Sequence, residues 1–236
     1  MRRPLLLDLF CCAGGAGTGY FRAGFDVHGV DIADRPNYPF PIHRGDALDH
    51  LAHLIMSGEI HRYAMVHASP PCQDKCTLTV GTNRSRGWGG THTDLVAPTR
   101  VLLERAGLPY VIEQPNGRAR IRKDLTLCGE MFGLAVIRHR NFEMGGWTAA
   151  RPVHLPHRGR VSGYRHGKKY DGPYVAAYGS GGGKPTVPEL QRAMGIDWTD
   201  VREELTEAIP PAYGQWIGEA FLTARTDTLP RLKEVA

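Results

Sequence analysis

The first thirty-one residues restrict the fold most. Leu5-Leu6-Leu7-Asp8-Leu9-Phe10 is a short apolar run suited to a buried strand. It leads straight into Cys11-Cys12-Ala13-Gly14-Gly15-Ala16-Gly17-Thr18-Gly19, with a helix start expected at Tyr20-Phe21-Arg22-Ala23. Gly24 is able to close that helix in the left-handed conformation. Phe25-Asp26-Val27-His28-Gly29-Val30 is a second strand candidate ending at Asp31. Strand, glycine loop, helix, strand and acid is the order of a βαβ nucleotide-binding unit.

The alternation continues. Residues 47–57 suit a helix, and Tyr63-Ala64-Met65-Val66-His67-Ala68 suits a strand. Ser69-Pro70-Pro71-Cys72-Gln73 follows, where two prolines stop the strand and stiffen a loop. Residues 79–93 lack hydrophobic periodicity and read as a long loop. A helix is expected from Asp94 to Gly107-Leu108-Pro109, then a strand at Tyr110-Val111-Ile112 that delivers Glu113. Periodicity fails between about 144 and 185 and resumes at Thr186-Val187-Pro188-Glu189, a capping box. A last helix follows Pro210-Pro211, with Tyr213, Trp216, Ile217, Ala220 and Phe221 on one face. Such alternation predicts an α/β fold with a mainly parallel sheet.

No apolar run reaches the roughly 18 residues that a membrane span needs. Asp8 interrupts the leucines after Arg2-Arg3 too early for a signal peptide, so a cytoplasmic protein is expected. The five cysteines are odd in number and include no CxxC pair, which suggests neither a disulfide framework nor a zinc knuckle. Formal charge is +5. Residues 151–169 hold Arg151, Arg158, Arg160, Arg165, Lys168 and Lys169 with no acid, together with three histidines. That surplus suits a polyanion partner, though a solvated strip accounts for it equally well.

The glycine loop lacks the lysine of a phosphate-binding loop, and Gly15, Gly17 and Gly19 do not make the dinucleotide fingerprint. An adenosine-containing cofactor still fits, with Asp31 on ribose hydroxyls and Asp46 near the adenine amino group. Cys72 lies where open α/β sheets place their ligands and suits a nucleophile; a half-buried structural thiol is the plainer alternative. Glu113 reaches the same rim. Arg138 and Arg140, two apart, face one side of an extended segment. His50 and His53 with Asp46 and Asp49 make a weak metal reading. His154 and His157 read as part of the basic strip, and Cys11, Cys12 and Cys128 as small packing residues.

Asp8-Leu9-Phe10, Gly14-Gly15, Pro70-Pro71-Cys72-Gln73, Glu113, Arg138-His139-Arg140 and Ala208-Ile209-Pro210-Pro211 occur in the order of the DNA cytosine-5 methyltransferases. The chain resembles a compact member of that family, of the kind common in bacteriophages. The resemblance implies a Rossmann-like methyltransferase fold, with residues 1–143 and 186–236 as the catalytic and cofactor-binding domain. Residues 144–185 would form a small, basic target-recognition region. It further implies S-adenosylmethionine as methyl donor, no metal in the chemistry, and a monomer acting on a cytosine flipped out of duplex DNA in a bacterial or phage-infected cell. Cys72 would add to C6 of the base, Glu113 would hold N3 and the amino group, Arg140 would bind O2, and Arg138 would support them. Asp8, Phe10, Gly14, Gly15, Asp31, Asp46, Pro70 and Glu207 would line the cofactor pocket. Gln73, Arg84, Arg86 and Trp88 on the catalytic loop, with Arg158, Arg160, Lys168 and Lys169, would meet DNA. A tRNA cytosine-5 methyltransferase and an inactive DNA-binding member are the alternatives.

The chain departs from the family's pattern in several places. Cys12 replaces a usual Gly, Gln114-Pro115 an Asn-Val pair, Val136 a Gln, and Glu207 an Asn that often contacts the cofactor. The recognition region is only about forty residues long, from which a short or relaxed target sequence is expected.

Overall fold

In the computed structural model, two parallel strands, β1 (Leu5–Leu9) and β4 (Met65–Ala68), lie side by side near the middle of a seven-stranded sheet. Residues 2–71, 94–117, 121–165, 168–178 and 185–233 are described. To one side of β1 come β2 (Asp26–Asp31) and β3 (Ile42–Arg44); beyond β4 come β5 (Tyr110–Pro115), β7 (Arg140–Gly145) and β6 (Leu125–Leu127). The order is thus 3-2-1-4-5-7-6. β7 runs antiparallel to both of its neighbours, and the other pairings are parallel. This is a Rossmann order with one reversed strand wedged beside β5. The direction of winding changes between β1 and β4, which opens a crevice at their carboxyl ends.

Side-chain alternation along β1 supplies both faces of the sheet. Leu6 joins Tyr20, Phe25, Met65, Val111, Phe142, Tyr213, Ile217 and Phe221 beneath α1 (Gly15–Ala23) and α6 (Pro211–Lys233). Leu7 and Leu9 join Val30, Leu51, Leu54, Val66, Leu103 and Ile112 beneath α2 (Ala47–Ser57) and α3 (Val96–Ala106). A separate cluster around Leu190, Met194, Ile196 and Leu205 holds α4 (Val187–Met194) and α5 (Arg202–Glu207). The Thr186–Glu189 capping box forms as expected. Between 146 and 186 the described regular structure is one hairpin, β8 (Gly163–Arg165) with β9 (Lys168–Tyr170). Among the described residues, no helix is long and apolar enough to cross a membrane.

The first helix starts five residues earlier than the sequence suggests, at Gly15 rather than Tyr20. Its glycines serve a helix crossing. A Cβ on Gly15 would lie 2.1 Å from the Ile209 carbonyl oxygen, and one on Gly19 would lie 2.1 Å from that of Pro211. Gly214 of α6 approaches α1 as closely, its Cβ position being 2.5 Å from the Ala16 carbonyl oxygen. Gly14, at φ +83°, and Gly24, at φ +117°, turn the backbone in the left-handed region at the two ends of the helix.

Candidate active site

Two non-glycine residues at the end of β1 have positive φ, Phe10 at 57° and Cys12 at 47°. Each costs on the order of 1 kcal/mol in the left-handed region. The bend is held from β2: the Cys12 N–H donates to Asp31 Oδ2 at 2.9 Å, and the Cys11 N–H to the Val30 carbonyl at 3.1 Å. Cys12 therefore occupies a turn that glycine would adopt without strain. Asp31 Oδ1 accepts the Ala33 N–H at 2.9 Å and faces Arg35 Nε at 3.2 Å. Glu207, exposed at the end of α5, is near enough to act electrostatically on both Arg35 and Cys12. Burial pushes the Cys12 thiol up to about 11, with Arg35 opposing. Asp31, Arg35, Cys12 and Glu207 thus gather on the β1–β2 side of the crevice, beside the partly buried Phe10.

Asp8 lies beneath the start of α1, 1% exposed, where it accepts a hydrogen bond from the Tyr38 hydroxyl at 3.2 Å. Burial pushes its pKa up to about 8, against the lowering effect of Tyr38. The Tyr38 ring and Pro39 close over Gly14, and the same ring lies over Gly29. Gly15 faces Ile209, as above. Asp46 caps α2, accepting the Leu48 and Asp49 N–H groups at 2.8 and 3.0 Å. The nearby His50 ring stacks on His43 with centroids 4.2 Å apart. Among the described residues, His50 and His53 form no ligand cluster with Asp46 and Asp49.

The other side of the crevice is built by β4, β5 and β7. His67 is buried between α1 and the proline loop, with the Tyr20 hydroxyl 3.0 Å from Nδ1 and the Ser69 hydroxyl 2.9 Å from Nε2. Burial lowers its pKa to about 3, so the ring is neutral near pH 7. Gln114, at the end of β5, donates from Nε2 to the Pro70 carbonyl at 2.6 Å. The glutamine that departs from the family's pattern thereby ties β5 to the loop leading to Cys72. Glu113 is 5% exposed, and Arg140 Nε lies 2.8 Å from its Oε1.

Arg138 and Arg140 have different partners, so they do not act as a same-facing pair. The Arg138 guanidinium is buried and donates to the Ala177 carbonyl and, at 2.6 Å, to that of Thr206. Its own carbonyl accepts the Tyr213 hydroxyl at 2.7 Å. Arg138 joins the segment after β9 to α5 and α6, while Arg140 meets Glu113. Cys72, Gln73, Arg84, Arg86 and Trp88 lie outside the described residues.

Sequence reasoning passed over His67, Arg35 and Tyr38, and noted Gln114 only as a departure. A histidine within an apolar strand was the available signal for the first. Of the basic strip, Arg158 Nε is paired with Glu130 Oε1 at 2.6 Å. Arg160 and Lys168 lie over the Tyr170 ring, and Lys169 Nζ is 3.5 Å from Asp171. A groove of about 940 Å³ lined by Arg2, Arg3, His61, Arg62 and Arg225 lies at the opposite, amino-terminal rim of the sheet. The switch point lies at the carboxyl rim, where open α/β sheets hold ligands.

Strand order, crevice and helix placement define a Rossmann-like methyltransferase fold. The structure of the Entamoeba histolytica methyltransferase EhMeth overlays with a TM-score of 0.56 at 11% identity, covering 95% of this chain and 99% of that one. A mutant of Spodoptera frugiperda DNMT2 overlays with a TM-score of 0.45 at 14% identity, over 65% of this chain. The chain spans 56% of that structure's length. A SAM-dependent methyltransferase from Agrobacterium tumefaciens gives 0.29 at 15% identity, over 49% of each chain. No family model and no curated protein matches the sequence.

Proposed function

We propose that the protein is an S-adenosylmethionine-dependent DNA cytosine-5 methyltransferase. The observation that carries this reading is the Glu113–Arg140 pair at the carboxyl rim, joined through Gln114 to the loop that leads into Cys72. The cofactor assignment fits the residues around the bend after β1. They offer a partly buried aromatic ring at Phe10, acids at Asp31 and Glu207, and the amino-terminal end of α1. When bound, S-adenosylmethionine supplies a methyl group made electrophilic by its positive sulfur.

The chain's own residues account for the rest. Cytosine C5 is too electron-poor to attack a methyl group unaided. Addition of the Cys72 thiolate at C6 makes C5 enamine-like. Glu113 hydrogen-bonds N3 and the exocyclic amino group, favouring the protonated adduct, and Arg140 holds O2. Their mutual contact keeps both side chains oriented toward one base edge before it arrives, which lowers the cost of ordering them. After methylation, loss of H5 and departure of Cys72 restore the ring. Arg138 positions the segment from which Arg140 extends. Residues 144–185 serve as the recognition region, and Arg160, Lys168 and Lys169 contact phosphates. So short a region offers few base contacts, so the target sequence is short or relaxed.

Transfer of labelled methyl from S-adenosylmethionine to duplex DNA and to tRNA, measured side by side, tests the reading. Labelling of cytosine C5 in DNA is expected. Labelling of tRNA alone would keep the chemistry and overturn the substrate.

A further inference from the structure

We propose that Cys128, His139, His154 and His157 bind a zinc ion that fastens the basic segment to the catalytic sheet. The cysteine sulfur and one ring nitrogen from each histidine all lie within 4.8 Å of one another. Cys128 follows β6, His139 precedes β7, and the other two come from the coil beyond β7. The ring centroids stand 5.1 Å apart for His139–His154, 5.2 Å for His139–His157 and 4.9 Å for His154–His157. Zinc bonds of about 2.0–2.3 Å in a tetrahedron put donor atoms roughly 3.3–3.7 Å apart. Closing the site to those spacings takes an inward movement of about 1 Å, within reach of side-chain rotation. One thiol and three imidazoles suit zinc rather than a hard, oxygen-seeking cation.

The surroundings are those of a ligand set. Glu130 Oε2 lies 2.7 Å from His157 Nδ1, which leaves Nε2 to face the ion. A carboxylate on the far nitrogen fixes the ring of a ligating histidine and raises its basicity. Glu130 is itself held by Arg158 Nε at 2.6 Å and by the Tyr174 hydroxyl. Cys128 opens the turn Gly129–Phe132, where its N–H donates to the Met131 sulfur at 3.3 Å and its carbonyl accepts the Met131 N–H at 3.1 Å.

The fold has a use for such a bond. The apolar cluster beneath this segment is small, consisting of Val161, Tyr174 and Ala176 with Ile137 and Tyr178 against it. Four protein ligands leave no open position, so the ion is structural. It also fixes His139, whose carbonyl accepts Arg140 Nη1 at 3.2 Å. The site does not depend on the proposed reaction. Cys128 and His139 lie well before the His154–His157 pair in sequence and the set includes no CxxC pair, so spacing did not reveal it.

The test uses untagged full-length protein grown with zinc, with metal measured by mass spectrometry after gel filtration. About one zinc per chain is expected. Cobalt(II) added to metal-stripped protein should give tetrahedral bands and a thiolate charge-transfer band, the latter lost in Cys128→Ser. Cys128 is buried, so two further variants guard against misfolding. His154 is exposed, and His154→Ala should lose most of the zinc. Glu130→Gln should weaken zinc affinity by about 10- to 100-fold. Less than about a tenth of a zinc per chain with no cobalt absorption would overturn the proposal. So would metal content identical to wild type in all three variants.

Discussion

Arg140 Nε lies 2.8 Å from Glu113 Oε1 across the antiparallel β5–β7 pair. Two charges from separate parts of the sequence thus form one half-enclosed unit at the sheet's carboxyl rim. Glu113→Gln should lower methyl transfer by about 10²- to 10⁴-fold while S-adenosylhomocysteine binding stays near wild type. Arg140→Ala should also destabilise the fold, by about 3–5 kcal/mol, because it removes the guanidinium beside a buried carboxylate. Calorimetric titration and urea unfolding separate the two effects. Wild-type turnover in Glu113→Gln would contradict the assignment.

Gln114 makes a second prediction. Its amide reaches the Pro70 carbonyl two residues before Cys72, so Gln114→Leu should free the loop and leave a buried acceptor unpaired. A stability loss of about 1–3 kcal/mol is expected. A fall in kcat larger than any rise in KM should accompany it, because the loop leads into the proposed nucleophile. An unchanged kcat would restrict Gln114 to a structural role.

Asp8 and His67 give opposite pH signatures. Burial keeps Asp8 protonated up to about 8, against 3.8 ordinarily. Its contribution is complete below the unfolded value and is lost as pH rises toward 8. His67 is neutral down to about 3, against 6.5 ordinarily. Its contribution is complete above 6.5 and is lost as pH falls toward 3. The two oppose each other between these windows, but from pH 6.5 to 8 Asp8 acts without His67. Stability in urea should fall there by up to about 1.4 kcal/mol per pH unit. Asp8→Asn should flatten the slope, and a slope retained in that variant would assign it elsewhere.

The basic strip is not uniform. Arg158 is committed to Glu130, whereas Arg160, Lys168 and Lys169 crowd the hairpin around Tyr170 and Asp171. Replacing these three with Gln should weaken DNA binding and reduce the salt slope by about 0.9 for each phosphate no longer neutralised. An unaltered slope would mean that the hairpin faces away from DNA.

Much of this architecture was legible in the sequence. Alternation and flanking breakers placed the ends of β1, β2 and β4 to within two residues, found the start of β5 but ended it three residues early, and α2 falls on residues 47–57 as read. The α1 start was missed because glycine propensity argues for a loop, whereas packing against the Ile209 and Pro211 carbonyls decides for helix. Of the site, the strand-end acids Asp31 and Glu113 were visible as strand followed by charge. The Glu113–Arg140 contact was not, since it depends on a reversed strand that no local pattern encodes. The Cys128–His157 cluster stayed hidden for the same reason, as its ligands meet only in the folded chain.

The central claim is that Cys72 bonds transiently to C6 of a cytosine held by Glu113 and Arg140. Duplex DNA carrying 5-fluorocytosine cannot lose a proton from C5 and should trap that bond. With S-adenosylmethionine present, a denaturation-resistant protein–DNA complex should form, map to Cys72 by peptide mass spectrometry, and be absent in Cys72→Ala. Failure to trap any complex while calorimetry records S-adenosylmethionine binding would contradict the account.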